Sequence, residues 1–172
     1  MRLRYKFVDP FSIDLEKIKI VTLDHYWENM TDPRAREYFS KMQLLRKLGF
    51  GPDYPKNYLP FDNSDYFSWH HLFCIEDENG EDMVLAGFRQ VTLSRCDYYK
   101  HDIPLLALVK KEDAHPHIEA LSEVIDEHRN SGKDLIYSSS FTILKEFREN
   151  KKLSKFVFEI TPALKYTDML NL

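Results

Sequence analysis

Two aspartates and one arginine lie close to a predicted β-hairpin in the stretch from Phe61 to Gln90. Asp62 and Asp65 precede its first strand, and Arg89 lies two thirds of the way along its second strand. Carboxylates and a guanidinium held on one rigid element can orient a small polar or zwitterionic ligand through charge-assisted hydrogen bonds. The same residues are also typical of a surface hairpin with solvated charges. Taken alone, the stretch leaves both interpretations open.

The elements that would position these residues follow from turn and cap signals. Asn79-Gly80 separates two apolar runs, about residues 69–75 and 83–93, and predicts the hairpin. Thr31-Asp32-Pro33 pairs a capping oxygen with a proline and begins a predicted helix over 33–48. Arg46 lies near the end of that helix, where a cation favours the helix dipole. A role for Arg46 in a binding site is the alternative.

The rest of the chain is predicted from hydrophobic periodicity. Residues 18–23 alternate as a strand, and residues 24–31 follow as a loop. An apolar run over 103–109 has no assigned structure. A helix over 117–130, a strand over 135–144 and a tail helix kinked or restarted at Thr161-Pro162 complete the order. This order predicts an α/β (α+β) fold with a mainly antiparallel sheet flanked by helices, in a single domain over 1–172 with residues 1–16 as an N-terminal extension.

Composition excludes several classes of function. The chain has 172 residues and a formal net charge of -4, which argues against a nucleic-acid partner. Two cysteines are too few for a disulfide framework, so a reducing compartment is expected. No apolar run is long enough to cross a membrane. A cytoplasmic protein is therefore expected.

Two clusters invite catalytic or metal chemistry that their spacing does not support. Zinc could be suggested by His70, His71 and Cys74 together with Cys96 and His101. However, adjacent strand residues such as His70 and His71 point to opposite faces, and no paired Cys-x-x-Cys spacing occurs. No metal site is predicted. The run from Ser138 to Ser140 lacks the glycines of a nucleophile elbow, and a polar strand near a cleft or an edge explains it.

A basic group of residues follows the strand over 135–144. Arg148, Lys151, Lys152 and Lys155 lie where a strand gives way to a helix. Free backbone N–H groups and nearby cations at such a junction could bind phosphate. A solvated helix start explains the same residues equally well.

Taken in order, these segments resemble the acyl-homoserine-lactone (autoinducer) synthases, which have a GNAT-like acyltransferase fold. The resemblance covers about residues 18–160 and is shared with the N-acyltransferases associated with bacterial protein-sorting systems. The matching positions are Arg46 with Phe50, Asp62 with Asp65, Gly87-Phe88-Arg89, and the strand from Tyr137 to Ile143 with the basic segment after it.

The resemblance implies transfer of an acyl group from an acyl-CoA or acyl-carrier-protein thioester to a small amine. It implies no covalently bound cofactor, since the thioester is a co-substrate, and it leaves a homo-oligomer open. The implied catalytic residues are Asp62, Asp65, Arg89, Tyr137 and Arg46. The implied donor-binding residues are Phe141, Thr142, Ile143, Arg148, Lys151 and Lys152.

Three departures from the family pattern support an alternative. Tyr137 stands where the family has a glutamate, Ser140 where it has an arginine, and no glycine-rich loop follows Arg148. A fold of this type also continues with a fifth strand, so its C-terminal part is expected to be missing or shortened. The alternative is a catalytically inactive GNAT-like binding or assembly module. A third hypothesis is an unrelated α/β domain that binds a protein partner.

Overall fold

The computed structural model describes residues 9–50 and 61–170, with side chains as far as Lys165. Within this part of the chain, four strands form one sheet in the order β1-β2-β3-β4. They are β1 (Lys19–Leu23), β2 (Trp69–Glu76), β3 (Asp82–Thr92) and β4 (Ile136–Ile143). Every neighbouring pair is antiparallel, and helices flank the sheet. The predicted mixed fold with a mainly antiparallel sheet is confirmed.

Six α-helices lie among the described residues. They are α1 (Tyr26–Asn29), α2 (Pro33–Phe50), α3 (Leu93–Tyr98), α4 (Pro104–Lys111), α5 (His115–Ser131) and α6 (Lys151–Leu170). The prediction of a plain loop over 24–31 was wrong, because α1 forms one turn there. Helices α3 and α4 were not predicted. Thr92 caps α3 by accepting a hydrogen bond from the Arg95 N–H, and Pro104 lies in the first turn of α4.

Cap and turn signals placed the other elements correctly. Asp32 accepts a hydrogen bond from the Arg34 N–H at 2.8 Å, at the predicted start of α2. Gly80 turns the β2–β3 hairpin with a φ of 77°, which glycine adopts without a steric cost. The tail is helical as predicted, but α6 continues through Pro162, so the predicted restart does not occur.

The sheet separates two sets of side chains. Arg89 is directly opposite His70 on β2 and Ser139 on β4, and these three residues share the face that carries α2. Gly87 lies on that face too, where an added Cβ would come within 3.2 Å of Leu45 on α2. The opposite face packs on α6, where the rings of Phe73 and Phe156 have centroids 6.4 Å apart.

Two apolar clusters form the core. The first cluster joins α2 and α6 to the sheet and includes Phe39, Leu45, Phe73 and Leu153. The second cluster lies under α3, α4 and α5 and includes Phe67, Val91, Cys96, Leu106 and Ile125. Strand β3 contributes to both, because Phe88 belongs to the first cluster and Val91 to the second.

Some of the predictions concern residues outside the described part of the chain. Residues 51–60, which precede the hairpin, lie outside the described part, as do residues 1–8 of the extension. The extension's described end is tied to α6, since the Asn150 side-chain amide donates to the Pro10 carbonyl.

The single-domain assignment stays a prediction. No described helix combines the length and apolar character needed to cross a membrane.

Candidate functional site

Four charged residues from three separate segments of the chain form one ion cluster. Asp65 Oδ1 lies 2.7 Å from Arg46 Nη1 and 2.8 Å from Arg89 Nη1. Arg89 also donates hydrogen bonds to both carboxylate oxygens of Asp62, with three donor–acceptor distances of 3.1 Å. The cluster therefore joins α2, the segment before β2, and β3. All four residues were predicted as site residues from the sequence.

A capping box fixes the two aspartates. Asp62 accepts a hydrogen bond from the Ser64 N–H at 2.8 Å, and Asp65 Oδ2 accepts one from the Asp62 N–H at 2.9 Å. These bonds begin the 3₁₀ turn Asn63–Tyr66. A capping box satisfies orphan N–H groups reciprocally, which makes the spacing of the two carboxylates a property of the backbone.

Burial divides the cluster into a hidden part and an open part. Arg46 and Asp65 are 2% and 0% exposed, whereas the Asp62 side chain is 50% exposed. Burial lowers the pKa of Arg46, and the Asp65 charge offsets this only in part. For Arg89, burial is outweighed by the charges of Asp65 and Asp62, which raise its pKa. Asp62 is thus the one carboxylate of this cluster that can meet a ligand.

Arg89 also connects the cluster to β4. Its Nε donates to Ser139 Oγ at 3.1 Å, and its Nη1 donates to Ser64 Oγ at 3.0 Å. A guanidinium presents its donors in a fixed fork, so these partners determine its plane. The orientation of Arg89 toward Asp62 is therefore set from both sides.

Strand β4 bulges beside this contact. Gly87 pairs with Thr142 and Arg89 pairs with Ser139, so Phe88 faces two residues of β4, Ser140 and Phe141. Ser140 adopts a φ of 55°, in the left-handed region that non-glycine residues seldom occupy. Such bulges bend a strand, leave a residue unpaired in the ladder and are common next to active sites.

Tyr137 lies on the same face of β4 as Ser139, two residues away. It is opposite Val91 and packs partly buried against the second cluster. The structure therefore places Tyr137 along the face that carries the ion cluster, but its ring rests on apolar side chains.

An open cleft of about 750 Å³ lies beside Asp62, between the 3₁₀ turn and α4. Asp97 pairs with Arg129 across its wall. Lys100 and Lys111 also line the cleft and have no ion-pair partner among the described residues. A ligand in this cleft would meet the Asp62 carboxylate and two uncommitted cations.

The predicted donor-binding residues lie at the end of β4 and the start of α6. Thr142 and Ile143 are buried, while Phe141 is partly buried and stacks on Phe158 with centroids 4.9 Å apart. Arg148 is exposed, yet its guanidinium donates to the carbonyls of Ile143 (3.1 Å) and Gly49. Arg148 thus ties the end of β4 to the last turn of α2.

The start of α6 is only partly open to a phosphate. Lys151 and Lys152 are exposed in its first turn. Asn150 Oδ1, however, accepts a hydrogen bond from the Leu153 N–H at 3.0 Å. One of the N–H groups that the sequence suggested for a phosphate is therefore already used as a helix cap.

The histidine and cysteine side chains are dispersed. His70 contacts the ion cluster, whereas His71 contacts Thr22 Oγ1 at 3.0 Å on the opposite face. Among the described residues, no group of three His, Cys, Asp or Glu is placed to hold a metal. Burial raises the pKa of the Cys74 and Cys96 thiols to about 12, so neither thiol is an activated nucleophile at neutral pH.

Sequence reasoning missed three members of the site. Ser64 and Ser139 bind Arg89, and His70 binds Arg46 and the Asp65 backbone. Strand alternation carried a signal for two of them, since His70 and Ser139 share the face of Arg89. No spacing rule identifies Ser64, whose hydroxyl reaches Arg89 only because the capping box folds.

The fold and the site define an α+β protein with a buried Arg–Asp cluster that opens through one aspartate into a cleft. Searches of protein-family models, curated proteins and solved structures found no match for this chain.

Proposed function

We propose that this protein is a GNAT-like N-acyltransferase that moves an acyl group from a thioester of CoA or an acyl-carrier protein to a small amine. The observation that carries the proposal is the β4 bulge beside the ion cluster. The left-handed Ser140 lies one residue from Ser139, which binds Arg89. A strained backbone of this kind persists where the surroundings enforce it and is concentrated at functional sites.

The bulge would serve the donor. Peptide groups that leave a ladder can donate to the oxygen of a thioester carbonyl, which becomes negative in the tetrahedral intermediate. The amine nitrogen attacks the carbonyl carbon, the C–N bond forms, and the C–S bond breaks to release a thiol. Before the attack the ammonium group would lose one proton to Asp62 and from there to solvent. The second proton, which the nitrogen loses as the amide forms, would go to the leaving thiolate.

The cleft would hold the acceptor. Asp62, positioned by Arg89, would bind the ammonium group before it loses its proton. Lys100 and Lys111 would bind an anionic group on the same molecule. The expected acceptor is therefore a small zwitterionic amine.

The donor's phosphates would lie at the start of α6, near Arg148, Lys151 and Lys152, with the pantetheine arm along Phe141 to Ile143. A cytoplasmic location is part of the proposal, because Cys74 and Cys96 would there remain the free thiols of the structure.

Thiol release on mixing acyl donors with a panel of small amines tests the reaction. We expect release that depends on both substrates and that drops by tenfold or more, roughly, in Asp62→Asn. Asp134→Asn is the matched control, because Asp134 binds Ser94 outside this cleft. Release that does not depend on an amine would contradict transfer to an amine, and equal rates in both variants would remove Asp62 from the reaction.

The donor site is tested by a shift in melting temperature on adding acyl-CoA. We expect Arg148→Ala to reduce the shift, and the double variant Lys151→Glu, Lys152→Glu to abolish most of it. Lys155→Glu is the control, since Lys155 lies one turn further along α6 and pairs with Glu159. The absence of a shift with every acyl donor would contradict the donor site.

One observation favours a second candidate, a non-catalytic binding or assembly module. The two arginines and two aspartates of the ion cluster neutralise each other, and Tyr137 is packed against apolar residues. A module of this kind would bind the same donors or amines without releasing thiol. The two measurements above distinguish it from the enzyme.

A further inference from the structure

A fully buried histidine lies directly behind the ion cluster. His70 on β2 is 0% exposed, and its ring and that of Phe39 form a T-shaped pair with centroids 6.0 Å apart. Its Nε2 is 2.8 Å from the Asp65 carbonyl oxygen, and its Nδ1 is 3.5 Å from Arg46 Nη2. Both ring nitrogens therefore face a group of the site.

The two contacts determine the tautomer. A carbonyl oxygen only accepts a hydrogen bond, so Nε2 must carry the hydrogen. A guanidinium only donates, so Nδ1 must present its lone pair. This arrangement is available to the neutral Nε2–H imidazole alone, because a charged ring would direct an N–H at Arg46.

The charged groups around His70 also favour the neutral ring. Arg46 faces it from α2 and Arg89 from β3, while His71 is its neighbour on β2. Asp65 faces it from the segment before β2, with Oδ1 4.0 Å from Nε2. This carboxylate is already paired with Arg46 and Arg89. Burial and the Arg46 charge lower the pKa of His70 well below 6.5, so it is neutral at pH 7.

A continuous path connects this ring to the open end of the site. His70 holds one nitrogen of Arg46, and the other binds Asp65 Oδ1 at 2.7 Å. The same oxygen binds Arg89, which holds the Asp62 carboxylate at the cleft. The guanidiniums in this path have a fixed donor geometry, and its carboxylates are fixed by the capping box. A change in the position of His70 therefore alters the position of Asp62.

We propose that His70 is a positioning residue: its neutral imidazole fixes Arg46 and, through Asp65 and Arg89, orients Asp62 toward the acceptor amine. The involvement of an amine rests on the proposed function. The link from His70 to Asp62 does not.

The link is tested without any substrate by NMR of protein labelled at histidine and at the aspartate carboxyl carbons. We expect the Nε2–H tautomer for His70 at pH 7. His70→Leu removes both contacts and should move the NMR chemical shift of the Asp62 carboxyl carbon at pH 7. His70→Gln retains an amide N–H and a carbonyl oxygen, and should restore the wild-type chemical shift.

His71→Gln is the matched control. His71 is also buried and lies next to His70, but it binds Thr22 and Gln90 on the other face of the sheet. We expect it to leave the chemical shift of the Asp62 carboxyl carbon unchanged. An Nδ1–H or charged ring for His70 at pH 7, or an Asp62 carboxyl chemical shift equal in the wild type and His70→Leu, would overturn the proposal.

Thiol-release kinetics then distinguishes a positioning role of His70 from a general loss of stability in the His70 variants. In His70→Leu we expect the KM for the amine to rise by roughly tenfold or more, as for loss of a hydrogen bond to a charged group, with a smaller effect on the donor KM. His70→Gln should recover most of this loss. If the NMR results hold and no donor and amine pair releases thiol, the proposed function fails while the role of His70 stands.

Discussion

Asp65 is the residue on which the ion cluster depends most. It is 0% exposed and is shared by two guanidiniums. Removing the charge of one member of a buried pair leaves the partners uncompensated in a medium that solvates them poorly. We expect Asp65→Asn to lower the free energy of unfolding by about 3–5 kcal/mol in urea denaturation.

Asp62→Asn is the control that tests whether burial determines the cost of removing a carboxylate charge from the cluster. Asp62 contacts the same Arg89, but half of its side chain is exposed. We therefore expect a loss of less than about 1 kcal/mol, as for surface ion pairs. Equal losses in the two variants would show that burial does not divide the cluster as described.

His70 should make stability depend on pH. Its pKa is lower in the folded protein than the ordinary 6.5, so the unfolded chain binds the proton more readily. The contribution of His70 to the free energy of unfolding is therefore fully present above pH 6.5. It decreases as the pH drops below 6.5, by at most about 1.4 kcal/mol per pH unit for one proton. We expect His70→Gln to flatten this acid limb in urea denaturation across pH 5 to 7.5. A slope unchanged from wild type would assign the acid sensitivity to other groups.

At the level of elements, α2 approaches β4 closely enough to exclude a methyl group. A Cβ added to Gly49 would lie 2.2 Å from Thr142 Cγ2. Thr142 cannot easily rotate away, because its hydroxyl donates to the Ser140 carbonyl at 3.0 Å and the residue is 2% exposed. Helix propensity alone would favour alanine by up to about 1 kcal/mol. We expect the clash with Thr142 to outweigh this gain, so that alanine at position 49 destabilises the protein.

We expect Gly49→Ala to lower the free energy of unfolding by about 1–3 kcal/mol, the usual cost of overpacking a core. Thr142→Ser deletes the obstructing methyl and should cost about 1 kcal/mol by itself. In the double variant the two losses should not add, because alanine then fits. A double-mutant cycle measured by urea denaturation gives the coupling, and strict additivity would refute the close contact.

The elements also show what the sequence could predict. Asp32 with Pro33, and Asn79 with Gly80, are local signals whose meaning does not depend on distant residues, so α2 and the hairpin were predicted correctly. Helices α3 and α4 were missed because their short sequences read as irregular without the second cluster. The bulge at Ser140 was not predictable, because a serine with positive φ has no sequence signature and is imposed by its neighbours.

The candidate site was predicted by the same kind of signal. Asp62, Asp65 and Arg89 were selected by their positions beside the predicted hairpin, and Arg46 by its place at the end of a predicted helix and by resemblance to a family. The structure brings all four together. What the sequence could not indicate was the order of the contacts. The burial of Asp65, the exposure of Asp62 and the position of His70 behind Arg46 depend on how α2 packs across the sheet.

For the whole molecule, the position of the site along β3 is informative. Arg89 lies between Phe88 of the first cluster and Val91 of the second. The buried polar network therefore occupies the junction of two apolar clusters that share one central strand. A strand common to both clusters should make them unfold together, because neither can lose β3 without exposing the other.

This coupling predicts a single unfolding transition for variants of either cluster. Leu153→Ala in the first cluster and Ile125→Ala in the second each remove a buried side chain, 0% and 3% exposed, and should cost about 2–5 kcal/mol. Urea unfolding followed by tryptophan fluorescence and by far-UV circular dichroism should give coincident curves for both variants. A curve with two phases, only one of which shifts with the mutated cluster, would show that the clusters are independent. The ion cluster would then lie at a boundary able to open separately, and the cleft beside Asp62 would change with it.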